Sequence, residues 1–104
     1  MNGLLERDLK FIIKAISYYP EIDEVIVFGS RAMGNYKKSS DVDIALKGQD
    51  VNHKIVRKLS GVLNEEYPLP YFFDVLSYHE ISNEELKKHI DNEGKLIYKR
   101  GVKG

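Results

Sequence analysis

The chain has 104 residues with 16 basic and 16 acidic side chains, which argues against a generic, strongly basic nucleic-acid coat protein and leaves length for one compact core. It has no cysteine, so disulfide frameworks and thiolate zinc sites are excluded. Its apolar runs are short, as at Phe11–Ile13, so no membrane span is expected; the charged N-terminal segment is unlike a signal peptide, and a cytoplasmic domain follows.

Leu5, Leu9, Ile12, Ile13 and Ile16 recur at helical spacing opposite Glu6, Lys10 and Lys14, which predicts an amphipathic helix ending before Pro20. The apolar run Val25–Gly29 predicts a buried strand. Val42, Ile44 and Leu46 alternate with Asp41, Asp43 and Ala45, the pattern of a strand with one polar face. Asp50 is placed to cap a helix from Val51 to about Glu66 with Ile55, Val56, Leu59, Val62 and Leu63 inward, and Pro68 and Pro70 end it. The aromatic and branched residues of Tyr71–Tyr78 predict a third strand. Ser82 and Glu85 read as a capping box, with Ile81 and Leu86 as its staple, for a last helix that Gly94 terminates. Lys95–Lys99 reads either as a final short strand or as an extended tail. This order predicts a small mixed α/β (α+β) layer, helices against one sheet.

Between Phe28 and Leu46 the chain reads FGSRAMGNYKKSSDVDIAL. GSRAMG matches the first half of a Walker loop, but Asn35 and Tyr36 stand where that loop needs Lys and then Ser or Thr. The dinucleotide pattern G-x-G-x-x-G is also absent. What remains is Gly29, which lets a ligand approach the backbone, and Ser30, which offers a hydroxyl, before a possible helix N-terminus suited to an anion. Arg31, Lys37 and Lys38 add positive charge. Taken alone, a glycine and serine after a strand usually mark only a turn.

Residues two apart on a strand share a face, with Cα atoms about 6.5–7 Å apart, so Asp41 and Asp43 project together. Such carboxylates repel unless a cation lies between them, and oxygen ligands of this kind suit Mg2+ shared with substrate phosphates; the bland alternative is a solvated edge. Asp74 lies within the apolar stretch YFFDVLSY, where a buried, unpaired carboxylate would be costly. A site shared with Asp41 and Asp43 gives it a partner, if the third strand lies beside the second; a basic side chain is the other candidate.

Gly29-Ser30, a ten-residue spacer, Asp41-Val42-Asp43 and a later strand aspartate together resemble the signature of the nucleotidyltransferase superfamily related to DNA polymerase beta. GSRAMG followed by SDVDIAL is similar to its minimal, MNT-type members, and the resemblance covers nearly the whole chain. It implies a minimal palm spanning 1–104 as a single nucleotidyltransferase domain. It implies that Gly29 and Ser30, with Arg31 beside them, bind the triphosphate of ATP, and that Asp41, Asp43 and Asp74 form a catalytic Mg2+ site for two ions, with Asp74 orienting or deprotonating the attacking hydroxyl. It further implies a helical HEPN protein as partner and acceptor. AMP would pass from ATP to a tyrosine of that toxin, the chain serving as antitoxin. Family members commonly carry Arg where this chain has Met33, a change that would weaken triphosphate binding. Two other readings stay open: a binding module that neutralises its partner by contact, and nucleotidyl transfer to RNA or a small molecule.

His53, His79 and His89 show no metal-ligand spacing and read as surface residues, with His79 close in sequence to Asp74. The seven tyrosines read mostly as amphipathic caps on the core edge. Lys95, Lys99, Arg100 and Lys103 read as a solvated basic tail.

Overall fold

The computed structural model describes residues 6–29, 41–66 and 71–100. In chain order they form α1 (Glu6–Ser17), β1 (Glu24–Phe28), β2 (Val42–Lys47) and α2 (His53–Gly61), which continues into a π-helical turn (Val62–Glu66). Then follow β3 (Phe73–Ser77), a 3-10 turn (Tyr78–Glu80), α3 (Glu84–Glu93) and β4 (Lys95–Lys99). The strands form a mixed sheet in the order β3-β2-β1-β4. β1 pairs antiparallel with β2 and β4, whereas β2 pairs parallel with β3. A parallel pair needs a crossover, and α2 with its π turn supplies it.

Strand alternation divides the apolar side chains between two faces. Val25, Val27, Val42, Ile44, Leu46, Phe73 and Val75 meet Ile12 and Ile16 of α1 and Ile55 and Leu59 of α2 on one face. Ile26, Phe28 and Ala45 meet Ile90 of α3 on the other. β1 is therefore apolar on both sides, which is why its sequence is a continuous run rather than an alternation. Each fully buried aliphatic side chain contributes roughly 1.5–3 kcal/mol.

Three local features depart from the sequence expectations. The N-cap of α2 is Asn52, not Asp50: its side chain accepts the Ile55 N–H at 3.1 Å. Asn83 rather than Ser82 caps α3, accepting from Glu85 N at 2.9 Å and Leu86 N at 3.2 Å, although Ile81 and Leu86 still pack on the smaller cluster. The basic C-terminal segment is no tail as far as Arg100. Lys95–Lys99 pairs with β1, and Arg100 donates its N–H to Asp23 O at 2.8 Å and Nη2–H to Ile22 O at 3.1 Å. Lys103 lies outside the described residues.

Two polar contacts fix the start of β3, which is an edge strand. Asn64, from the π turn, accepts the Phe73 N–H at 2.7 Å and donates to Phe73 O at 3.0 Å, so one side chain pairs the strand's backbone as a neighbouring strand would. Asp8 of α1 is buried and accepts the Tyr71 hydroxyl at 3.0 Å, which compensates a carboxylate taken out of water. Among the described residues no helix is long and apolar enough to cross a membrane.

Candidate active site

β2 and β3 run side by side in parallel, and their register sets Asp43 directly against Asp74. Neighbouring strands lie about 4.8 Å apart, so these carboxylates leave the backbone within reach of one cation. On the other side of β2, Asp43 is the partner of Phe28, the last residue of β1. Asp41 immediately precedes β2 and is exposed. Asp74 is exposed as well, so the cost of a buried, unpaired carboxylate does not arise. β3 is an edge strand, its Phe73 and Val75 face the larger core, and Asp74 therefore points away from it.

Gly29 joins this group through its backbone. Its φ is +79°, the one positive φ among the described residues, a conformation that L side chains rarely adopt. A Cβ placed there would run into the Asp43 carboxylate at Oδ2. Glycine at 29 is thus required twice, by the turn and by the carboxylate lying on it. The close approach expected from a ligand is made by Asp43 itself, so the glycine turn lies directly against that aspartate. Ser30 and Arg31 lie outside the described residues, as do Met33, Lys37, Lys38 and the helix expected after the turn.

Half-buried Asp43 carries the electrostatic signature of the site. Burial pushes its carboxyl above the ordinary 3.8, the negative charges of Asp74 and Asp41 push it further, and the charged form of nearby His89 pulls the other way. A set of like charges held together in this way is relieved by a cation, so the residues fit a divalent metal with oxygen ligands. Among the described residues no group of three or more acidic, histidine or cysteine side chains is placed to hold a metal ion by itself, so a cation here would draw further ligands from waters or phosphates.

His89 of α3, which reads as a surface residue in the sequence, is half-buried in this neighbourhood. Its Nε2 accepts the Gly29 N–H at 2.9 Å, and its ring packs edge-on to Phe28 with centroids 6.1 Å apart. The available signal is helical spacing: His89 follows Leu86 by three residues and precedes Ile90, on the stripe that faces the sheet. His79, the histidine nearer to Asp74 in sequence, stands at the other end of the strands in an open cavity of about 430 Å³ lined also by Asp23, Lys47 and Gly48. His53 is exposed, 3.7 Å from Glu80.

The pattern of the family described as Polymerase beta, Nucleotidyltransferase matches residues 10–102. A proposed protein adenylyltransferase of Methanocaldococcus jannaschii is 26% identical over 106 residues, covering 89% of this chain and 97% of that protein. A chain of a toxin–antitoxin complex solved with AMP-PNP superposes with a TM-score of 0.71 at 21% identity, over 92% of this chain and 74% of its own. A chain of the complex between the tri-AMPylated Shewanella oneidensis HEPN toxin and its MNT antitoxin gives 0.69 at 20% identity, over 95% and 73%. At these identities the two structures establish likeness of fold.

Proposed function

Because the chain belongs to the polymerase beta nucleotidyltransferase family, we propose that it transfers AMP from ATP to a tyrosine hydroxyl of a HEPN toxin and so acts as that toxin's antitoxin. The observation that carries this reading is the meeting of Gly29, Asp43 and Asp74 at one end of the sheet. A phosphate-binding turn held against a carboxylate set is what an incoming triphosphate and its counter-ions need. Two relatives support the acceptor: the adenylyltransferase of M. jannaschii by its name, and the S. oneidensis complex by its AMPylated toxin.

In this reaction the tyrosine oxygen forms a bond to the α-phosphorus of ATP as the bond from that phosphorus to the α–β bridging oxygen breaks, and pyrophosphate leaves. Asp41 and Asp43, with Asp74 completing the set, would hold two Mg2+ ions. When bound, these ions neutralise charge on the triphosphate and raise the reactivity of the hydroxyl. Asp74, exposed on the edge strand, is open to a protein acceptor; it orients the hydroxyl and takes its proton. Gly29 lets the phosphates approach the backbone and Ser30 offers its hydroxyl, with Arg31 adding positive charge.

The test is the intact mass of a HEPN protein encoded beside this chain, after incubation with the chain, ATP and Mg2+. The proposal predicts a gain of one or more AMP groups, and transfer abolished by Asp41→Asn with Asp43→Asn. Unchanged labelling by that double variant would remove the assignment.

A further inference from the structure

The Gly29 N–H is committed before any nucleotide arrives. It donates to His89 Nε2 at 2.9 Å, across 60 residues of sequence, and α3 brings the two together. An Nε2 that accepts carries its ring proton on Nδ1, so the bond selects the neutral tautomer with Nδ1–H. The edge-on contact with Phe28, the residue before Gly29, sets the plane of the same ring. α3 is itself anchored at both ends of its stripe, with Ile90 buried against Ile26 and Phe28 and with Asn83 capping its first turn. Its C-terminus also closes tightly, because a Cβ on Gly94 would meet Ile90 O and the Ile26 side chain. The imidazole therefore sits on a rigid support and holds the glycine turn by its one backbone donor.

Gly29 lies against the Asp43 carboxylate, since a Cβ at 29 would run into its Oδ2. A rotation of the Gly29 peptide would thus move the phosphate end of the site relative to the aspartate end. We propose that His89 is a positioning residue for nucleotidyl transfer: by accepting the Gly29 N–H it locks the turn in the one backbone conformation that brings bound triphosphate into line with Asp43 and Asp74. The inference rests on the reading of this site as a nucleotidyltransferase centre. It adds a residue from α3, an element that contributes none of the carboxylates or the glycine turn.

Two variants separate positioning from packing. His89→Leu keeps the ring's bulk but removes the acceptor, whereas His89→Gln keeps an acceptor at nearly the same reach. Four quantities are compared in the full chain: amide hydrogen exchange at Gly29, the Kd for ATP with Mg2+, KM and kcat for AMP transfer, and the melting temperature. His89→Leu is expected to speed exchange at Gly29 and to weaken ATP binding and KM about tenfold, the worth of one lost hydrogen bond of this kind, with a smaller change in kcat. His89→Gln is expected to restore both to within about threefold. The proposal is overturned if His89→Leu binds and turns over ATP like the wild type. It is equally overturned if Leu and Gln lower activity and melting temperature together, which is the mark of packing alone. If the wild-type chain neither binds ATP nor transfers AMP, the nucleotidyltransferase reading falls and the positioning role falls with it. A wild type that binds ATP while His89→Leu binds it equally well removes only the role of His89.

Discussion

The two faces of the sheet do different work. On the face covered by α1 and α2, the larger cluster gathers most of the buried apolar side chains among the described residues, and strand alternation sends Val42, Ile44 and Leu46 into it. On the face covered by α3, the cluster of described residues is smaller, and beyond Phe28 it gives way to Gly29, Asp43, Asp74 and His89. Among the described residues α3 is the helix that packs on this face, and the carboxylates stand beyond the apolar side chains it covers. The larger cluster can thus bear the cost of the smaller face, where like charges are held close and one glycine adopts a positive φ.

That division is broken most severely from the well-packed side. Leu59 of α2 is wholly buried in the larger cluster, and Leu59→Ala is expected to cost about 2–5 kcal/mol in chemical denaturation while leaving kcat of the folded fraction unchanged. A loss of kcat at full folding would mean that the two faces are mechanically coupled. The opposite perturbation is smaller and of opposite sign. The folded-state carboxyl of Asp43 lies above its ordinary value, so the folded chain binds a proton there more readily than the unfolded chain does. Its ionised form therefore costs stability once the pH has risen through the raised value, and the cost disappears as the pH falls toward 3.8. Asp43→Asn is expected to raise the stability of the metal-free protein at neutral pH by less than about 1 kcal/mol, after allowance for solvent screening. The difference between variant and wild type should close in melts taken near pH 4. A variant that melts lower than wild type at neutral pH would show that Asp43 is held by contacts more favourable than these.

The elements themselves were legible because each has a strong periodic signal. The stripe from Leu9 to Ile16 gives α1, the run Val25–Phe28 gives a strand covered on both faces, and the Val42–Leu46 alternation gives β2. The caps shifted by a residue or two because several side chains near each helix start can accept an N–H, and only the geometry of the preceding chain selects Asn52 over Asp50 and Asn83 over Ser82. Asp74 is exposed because β3 lies at the sheet edge, which its composition of Phe, Val and Leu does not reveal. The pairing of Asp43 with Asp74 was anticipated as a condition, but its register is a property of the α2 crossover. Helical spacing places His89 on the sheet-facing stripe of its helix, but its partner is a backbone N–H 60 residues away, which spacing does not identify.

Contact between the glycine turn and the Asp43 carboxylate is measured by a double-mutant cycle in folding stability between Gly29→Ala and Asp43→Ala. With Asp43 present, the new Cβ at 29 meets both an unfavourable φ of +79° and the carboxylate; with Asp43 truncated, only the backbone cost remains. Gly29→Ala is expected to destabilise the wild type more than the Asp43→Ala background by about 1 kcal/mol, a coupling typical of residues in contact. Strict additivity of the two substitutions would contradict it and would leave Gly29 as an ordinary turn.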